Sequence, residues 1–147
     1  MKANKKANLN KVILGKYLKF WSILILAMVL TGCGGGSSPE EVAEKYTKAT
    51  LQFDYGAMKK LASEKNKAGI EKQEAETKEQ AKDPKMQEKM ELFKNMKVTG
   101  SEAAKVSEDG NSATVKVLAL DKDKKESSFK VSLVKENDAW KAESLSK

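Results

Sequence analysis

The 147-residue sequence predicts an α+β domain, with helices first and a four-stranded antiparallel meander after them. Two observations carry that expectation. Apolar residues recur at helical spacing from Val42 to Met96, and beyond Lys97 they alternate one by one with polar residues. A third observation sets the domain boundary: everything before Ser38 has a different composition, with lysines, then an uncharged apolar run, then glycine and serine.

Residues 1–19 are rich in lysine, and Phe20–Leu30 follows with eleven uncharged, mostly large apolar residues. That is the build of a secretory signal, and it is shorter than the roughly 20 apolar residues a spanning helix needs. Leu30-Thr31-Gly32-Cys33 closes the run. It resembles the bacterial lipobox, in which leucine and small residues precede the cysteine that becomes the mature N-terminus. The resemblance implies a lipoprotein signal peptide over 1–32, cleavage between Gly32 and Cys33, diacylglycerol on the Cys33 sulfur, and an acyl chain such as palmitate on the new amino group. Two or three chains, at about 0.8 kcal/mol per buried CH₂, anchor lastingly where one does not. Residues 33–38 are then the lipidated cysteine and a Gly/Ser tether, whose five flexible residues reach on the order of 12 Å. The domain is expected close to a bilayer, on the outer side of the cytoplasmic membrane or on the outer membrane.

Residues 39–147 read as one domain. Ser38-Pro39-Glu40-Glu41 is a capping box with proline at the first helical position, and Val42, Tyr46, Ala49 and Phe53 follow on one face, predicting a helix from Pro39 to Gln52. Asp54 is placed to cap a second helix carrying Ala57, Met58, Leu61 and Ala62. From Glu71 to Lys85 only Ala75 and Ala81 are apolar, so the charged elongation at 64–85 is expected to be a solvated helix or a mobile arm. Asp83-Pro84 restarts a helix over 84–96, where Met86, Met90, Phe93 and Met96 form a stripe. Methionines suit an adaptable contact surface, and core packing is the expectation for such a stripe.

Strands are predicted near 97–107, 112–120, 126–135 and 139–145. Val115/Val117/Ala119, Phe129/Val131/Leu133 and Trp140/Ala142 share an apolar face, and turn-rich connections separate the strands. Thr114, Lys116, Ser128, Lys130, Ser132, Lys141 and Glu143 fall on the other face, so the helices must cover the first.

All 28 basic residues are lysine; the chain has no histidine and one cysteine, Cys33. Residues 1–32 hold six of the lysines and no acid, which leaves residues 33–147 a formal charge of +1. The basicity belongs to the N-terminal segment, so a nucleic-acid partner is not expected. Without histidine there is no imidazole base, no Ser-His-Asp or Cys-His pair and no histidine zinc site, and no cofactor or metal is expected.

Ser38–Tyr46, Phe53–Leu61 and the terminal Val134–Lys141, ending in a tryptophan strand, together resemble a bacterial lipoprotein family whose domain is of unknown function. The resemblance spans 38–145 apart from the charged stretch and implies a cystatin-like, nuclear-transport-factor-2-like cone with no catalytic residues. Some enzymes of that superfamily use an Asp/Tyr pair, for which Asp54 and Tyr55 are the counterparts; an N-cap and a helix corner explain both more simply. The expected function is a non-enzymatic binding or interaction module of the cell envelope. Its candidate pocket lies near Tyr46, Phe53, Phe129 and Trp140, and its partner is an apolar small ligand or another envelope protein. The alternative is a small hydrolase or isomerase using carboxylate and tyrosine chemistry.

Overall fold

In the computed structural model, residues 36–147 are described; the signal segment, Gly32 and Cys33 lie outside them. Helix α1 (Pro39–Leu51) begins where the capping box places it, with the Ser38 hydroxyl accepting the Glu41 N–H at 3.2 Å. It buries Val42, Ala43, Tyr46, Thr47, Ala49 and Leu51. The helix ends one residue earlier than the spacing suggests. The Phe53 N–H bonds the Thr50 carbonyl and the Asp54 N–H bonds the Ala49 carbonyl, a Schellman closure that holds Phe53 at φ +56°. Phe53 therefore leaves the α1 stripe.

Asp54 caps helix α2 (Tyr55–Leu61), accepting the Ala57 N–H at 2.9 Å. Ala62 and Ser63 then run beside the last strand, with the Ser63 N–H on the Ala142 carbonyl at 2.9 Å. Helix α3 (Glu64–Gln80) covers most of the charged stretch. Its first turns are seated: Ile70 is buried, and Lys65 pairs with Glu143 at 3.1 Å. Its later part is a largely solvated helix, as expected, but polar contacts dock it on α2. Glu74 takes Lys59 at 2.9 Å, and the Tyr55 hydroxyl donates to Thr77 Oγ1 at 2.7 Å.

Helix α4 (Pro84–Lys94), capped by Asp83, corrects the expectation of core packing. None of its residues is buried; Leu92 and Phe93 are 51% and 39% exposed. The α3–α4 hairpin carries Met86, Met90 and Phe93 away from the sheet, against α3 and Phe53. Only Met96, just beyond the helix, meets the expectation, packing on the Leu51, Ala119 and Phe129 cluster.

The sheet has five strands, not four: β1 (Lys97–Ser101), β2 (Lys105–Val106), β3 (Ser112–Leu120), β4 (Glu126–Glu136) and β5 (Ala139–Ser146). They run antiparallel in the order β1-β3-β4-β5, with β2 also on β3. The predicted strand 97–107 is split because its register slips at Gly100 (φ +153°) and its backbone leaves β3 near Ala104, whose N–H donates to Glu40 at 2.8 Å instead. Asn137 and Asp138, both at positive φ, make the two-residue turn between β4 and β5.

Ala113, Val115, Val117 and Ala119 of β3 and Phe129, Val131 and Leu133 of β4 are all buried on one face, beneath α1. On β5 strict alternation would turn Ser144 inward. A one-residue bulge opposite Ser132/Leu133 instead leaves Glu143 extra, and Leu145 faces Val131. An aliphatic side chain joins the core in place of a hydroxyl, which avoids burying an unpaired polar group. Residues 36–147 form one compact unit, in which all the buried side chains among the described residues lie.

Candidate functional site

The four aromatic residues expected around one pocket fall in three places, with Tyr46 and Trp140 at the main core and Phe129 and Phe53 each elsewhere. Tyr46 is 4% exposed in the main core, and its hydroxyl accepts the Asn66 side-chain N–H at 3.0 Å. Asn66 also donates to the Ala142 carbonyl at 3.2 Å, so one amide ties α1 and α3 to β5. Burial raises the Tyr46 pKa above the ordinary phenol value, and the Asn66 contact draws it partly back. Phe129 packs with Leu51 and Ala119 in a second cluster. Trp140 keeps the inward parity of Ala142 and packs on the main cluster, but it is half-buried, with Lys135 Nζ 5.2 Å from the ring centroid. Phe53 turns outward at the α1 closure and meets Phe93 edge-on, ring centroids 6.5 Å apart at 78°.

Asp54 and Tyr55 both have structural partners, the Ala57 N–H and Thr77 Oγ1. Glu40 is the carboxylate with a role inside the domain edge. Partial burial raises its pKa, but the Ala104 N–H, its own N–H and the Ser38 hydroxyl together hold it below the usual value. Among the described residues no three His, Cys, Asp or Glu side chains gather as metal ligands, and no helix is long and apolar enough to cross a membrane.

Open concave surface lies on either side of α4 and also between α1 and α2, where a shallow cleft of about 340 Å³ runs past Lys45, Lys48, Ala49, Ala57 and Leu61. A cleft of about 240 Å³ separates α4 from α3, with Phe53, Met86, Met90 and Phe93 at its apolar side. A larger one, about 430 Å³, lies between α4 and the β3–β4 turn. Leu92, Phe93 and Met96 supply its apolar floor, and Lys89, Lys122, Lys125 and Lys147 stand around it. None of these four lysines is in an ion pair among the described residues, and residues 1–35 contain no acid. Of the two acids present, Asp121 turns its carboxylate to the N–H groups of Asp123 and Lys125, at 2.8 and 2.9 Å. The cleft thus combines apolar surface with an excess of positive over negative side chains.

Sequence reasoning missed this cleft because it joins three segments, 89–96, 121–127 and Lys147, that are distant along the chain. The available signal was Leu92 beside Phe93, two large apolar neighbours that cannot both lie on the buried side of one helix stripe.

These features define a small α+β domain, helices on one face of an antiparallel meander, with a filled interior and open clefts at its surface, two of them beside the outlying helix. The chain belongs to the DUF4878 family of domains of unknown function, whose profile matches residues 31–143. Comparison with curated proteins and with solved structures gave no match.

Proposed function

We propose that this protein is a bacterial envelope lipoprotein, held on a membrane surface through lipid on Cys33, whose domain is a non-enzymatic binding module. One observation carries the anchor: Leu30-Thr31-Gly32-Cys33 sits at the end of an apolar run and opens onto a glycine-serine tether that leads straight into the Ser38 cap of α1. The family match begins at Thr31 and so takes in Cys33 and the tether.

Packing supports the binding-module part. The space between α1 and the sheet is taken by Val42, Tyr46, Val115, Val117, Val131 and Leu133, each no more than 4% exposed. A substrate would have to displace core side chains, whereas a surface partner has open clefts beside α4. The order of elements, with α1 lying across the meander, supports the finer assignment to the cystatin-like, nuclear-transport-factor-2-like cone.

Mass spectrometry of the protein extracted from its own membranes tests the anchor. The expected mature form begins at Cys33 and carries diacylglycerol, and Cys33→Ala should accumulate unprocessed. A mature N-terminus upstream of Cys33, or normal processing and membrane retention of Cys33→Ala, would overturn it.

A further inference from the structure

We propose that the cleft between α4 and the β3–β4 turn binds a single-chain amphiphile with an anionic head, a carboxylate or phosphate monoester. The chain lies on Leu92, Phe93 and Met96, and the head is held among Lys89, Lys122, Lys125 and Lys147. This inference rests on the reading of the domain as a binding module; lipid on Cys33 enters only in the choice of a free amphiphile over a bilayer.

Three features of the cleft converge on that ligand. Its volume of about 430 Å³ falls in the range of roughly 300–1,000 Å³ typical of small-molecule sites. Leu92 and Phe93, two of the three large hydrophobic residues that the described domain exposes, meet there with Met96, whose flexible thioether adapts to a chain of varying length. The third feature is charge. Four lysines without ion pairs outnumber two aspartates, and Asp121 is turned to the N–H groups of its own turn, so the rim favours an anion over a cation.

Position in the fold favours a free amphiphile over a bilayer. The cleft includes Asp121, Lys122, Asp123 and Lys125, in the turn before β4, and Ser127 at its start. The tether enters at the other end: a Cβ on Gly36 would lie 3.9 Å from the carbonyl of Asp138, in the turn that follows β4. With 11 residues in β4, the two ends are roughly 33 Å apart at the rise of an antiparallel strand. The short tether thus holds the pole opposite the cleft.

The domain of residues 36–147, which carries its own core, is titrated by ¹H–¹⁵N NMR with laurate and with dodecyltrimethylammonium, both below micelle formation. Laurate is expected to give saturable one-site shifts at amides 89–96 and 121–127, and the cationic analogue to bind at least about tenfold more weakly. Leu92→Asn, at an exposed position that the fold tolerates, should weaken laurate about tenfold. Lys122→Gln with Lys125→Gln should erase the preference for laurate over the cation and most of its salt dependence. Equal affinity for both amphiphiles, shifts scattered over the domain, or unchanged binding by Leu92→Asn would overturn the site. So would perturbation of this cleft by phosphatidylcholine/phosphatidylglycerol vesicles with none by laurate. An unlipidated Cys33 alongside normal laurate binding would instead overturn the anchor alone.

Discussion

Phe53 ends helix α1 in the left-handed conformation, φ +56°, and its ring meets Phe93 of α4 edge-on at 6.5 Å. Glycine is the residue that suits such a closure, because a Cβ there crowds the backbone. The aromatic pair is what the strained position gives in return: it leans α4 on the end of α1, while α3 is held by its own contacts with α1, α2 and β5.

That relationship predicts an inverted substitution series. Phe53→Ala keeps the Cβ and loses the ring, whereas Phe53→Gly loses both the ring and the strain. Phe53→Gly should therefore be more stable than Phe53→Ala by about 1 kcal/mol in urea unfolding. Alanine at or above glycine would mean that the left-handed closure is not present in solution.

Thr47 is fully buried on α1, and its hydroxyl has no hydrogen-bond partner. Thr47→Val keeps the shape and the β-branch while removing the orphaned group, and should raise stability by about 1 kcal/mol. A loss of stability of that size would show that the hydroxyl is satisfied.

Glu74 sits between Lys78 and Lys59, at 2.8 and 2.9 Å, and hydrogen bonds from these ammonium groups, Lys78 first, lower its pKa from 4.5 to about 2. A depressed carboxylate contributes stability above its unfolded pKa and loses it as pH falls through the folded value. The stability difference between the wild type and Glu74→Gln should therefore be constant above about pH 5 and shrink between 4.5 and about 2. A difference that persists unchanged at pH 2 would contradict the pairing.

Hydrogen exchange should separate the outlying hairpin from the sheet. Amides of residues 71–94 are expected to exchange much faster than those of 113–119 and 129–134, because local opening is easiest where few apolar contacts resist it. Phe93→Ala should accelerate exchange in α4 and leave β3 and β4 unchanged. Equal protection in both regions would mean that the hairpin is clamped by more than the contacts described.

The sequence by itself determined the features that depend on neighbours along the chain. The Ser38, Asp54 and Asp83 caps, the helix–strand order, the paired inward faces of β3 and β4 and the Asn137-Asp138 turn follow from side-chain period and local hydrogen bonding, and these reach only a few residues. Tertiary structure decided the rest. The split of the first strand depends on Glu40, 64 residues away, capturing the Ala104 N–H. The inward turn of Leu145 depends on a bulge against β4, since alternation alone carries no information about an inserted residue. Of the four aromatic residues, Tyr46 and Trp140 do meet at one core cluster; the other two part from them because Phe53 leaves the helix and Phe129 joins Leu51. The cleft beside α4 was illegible for the same reason. An amphipathic stripe states that a face prefers cover, while the fold decides whether any element is there to cover it.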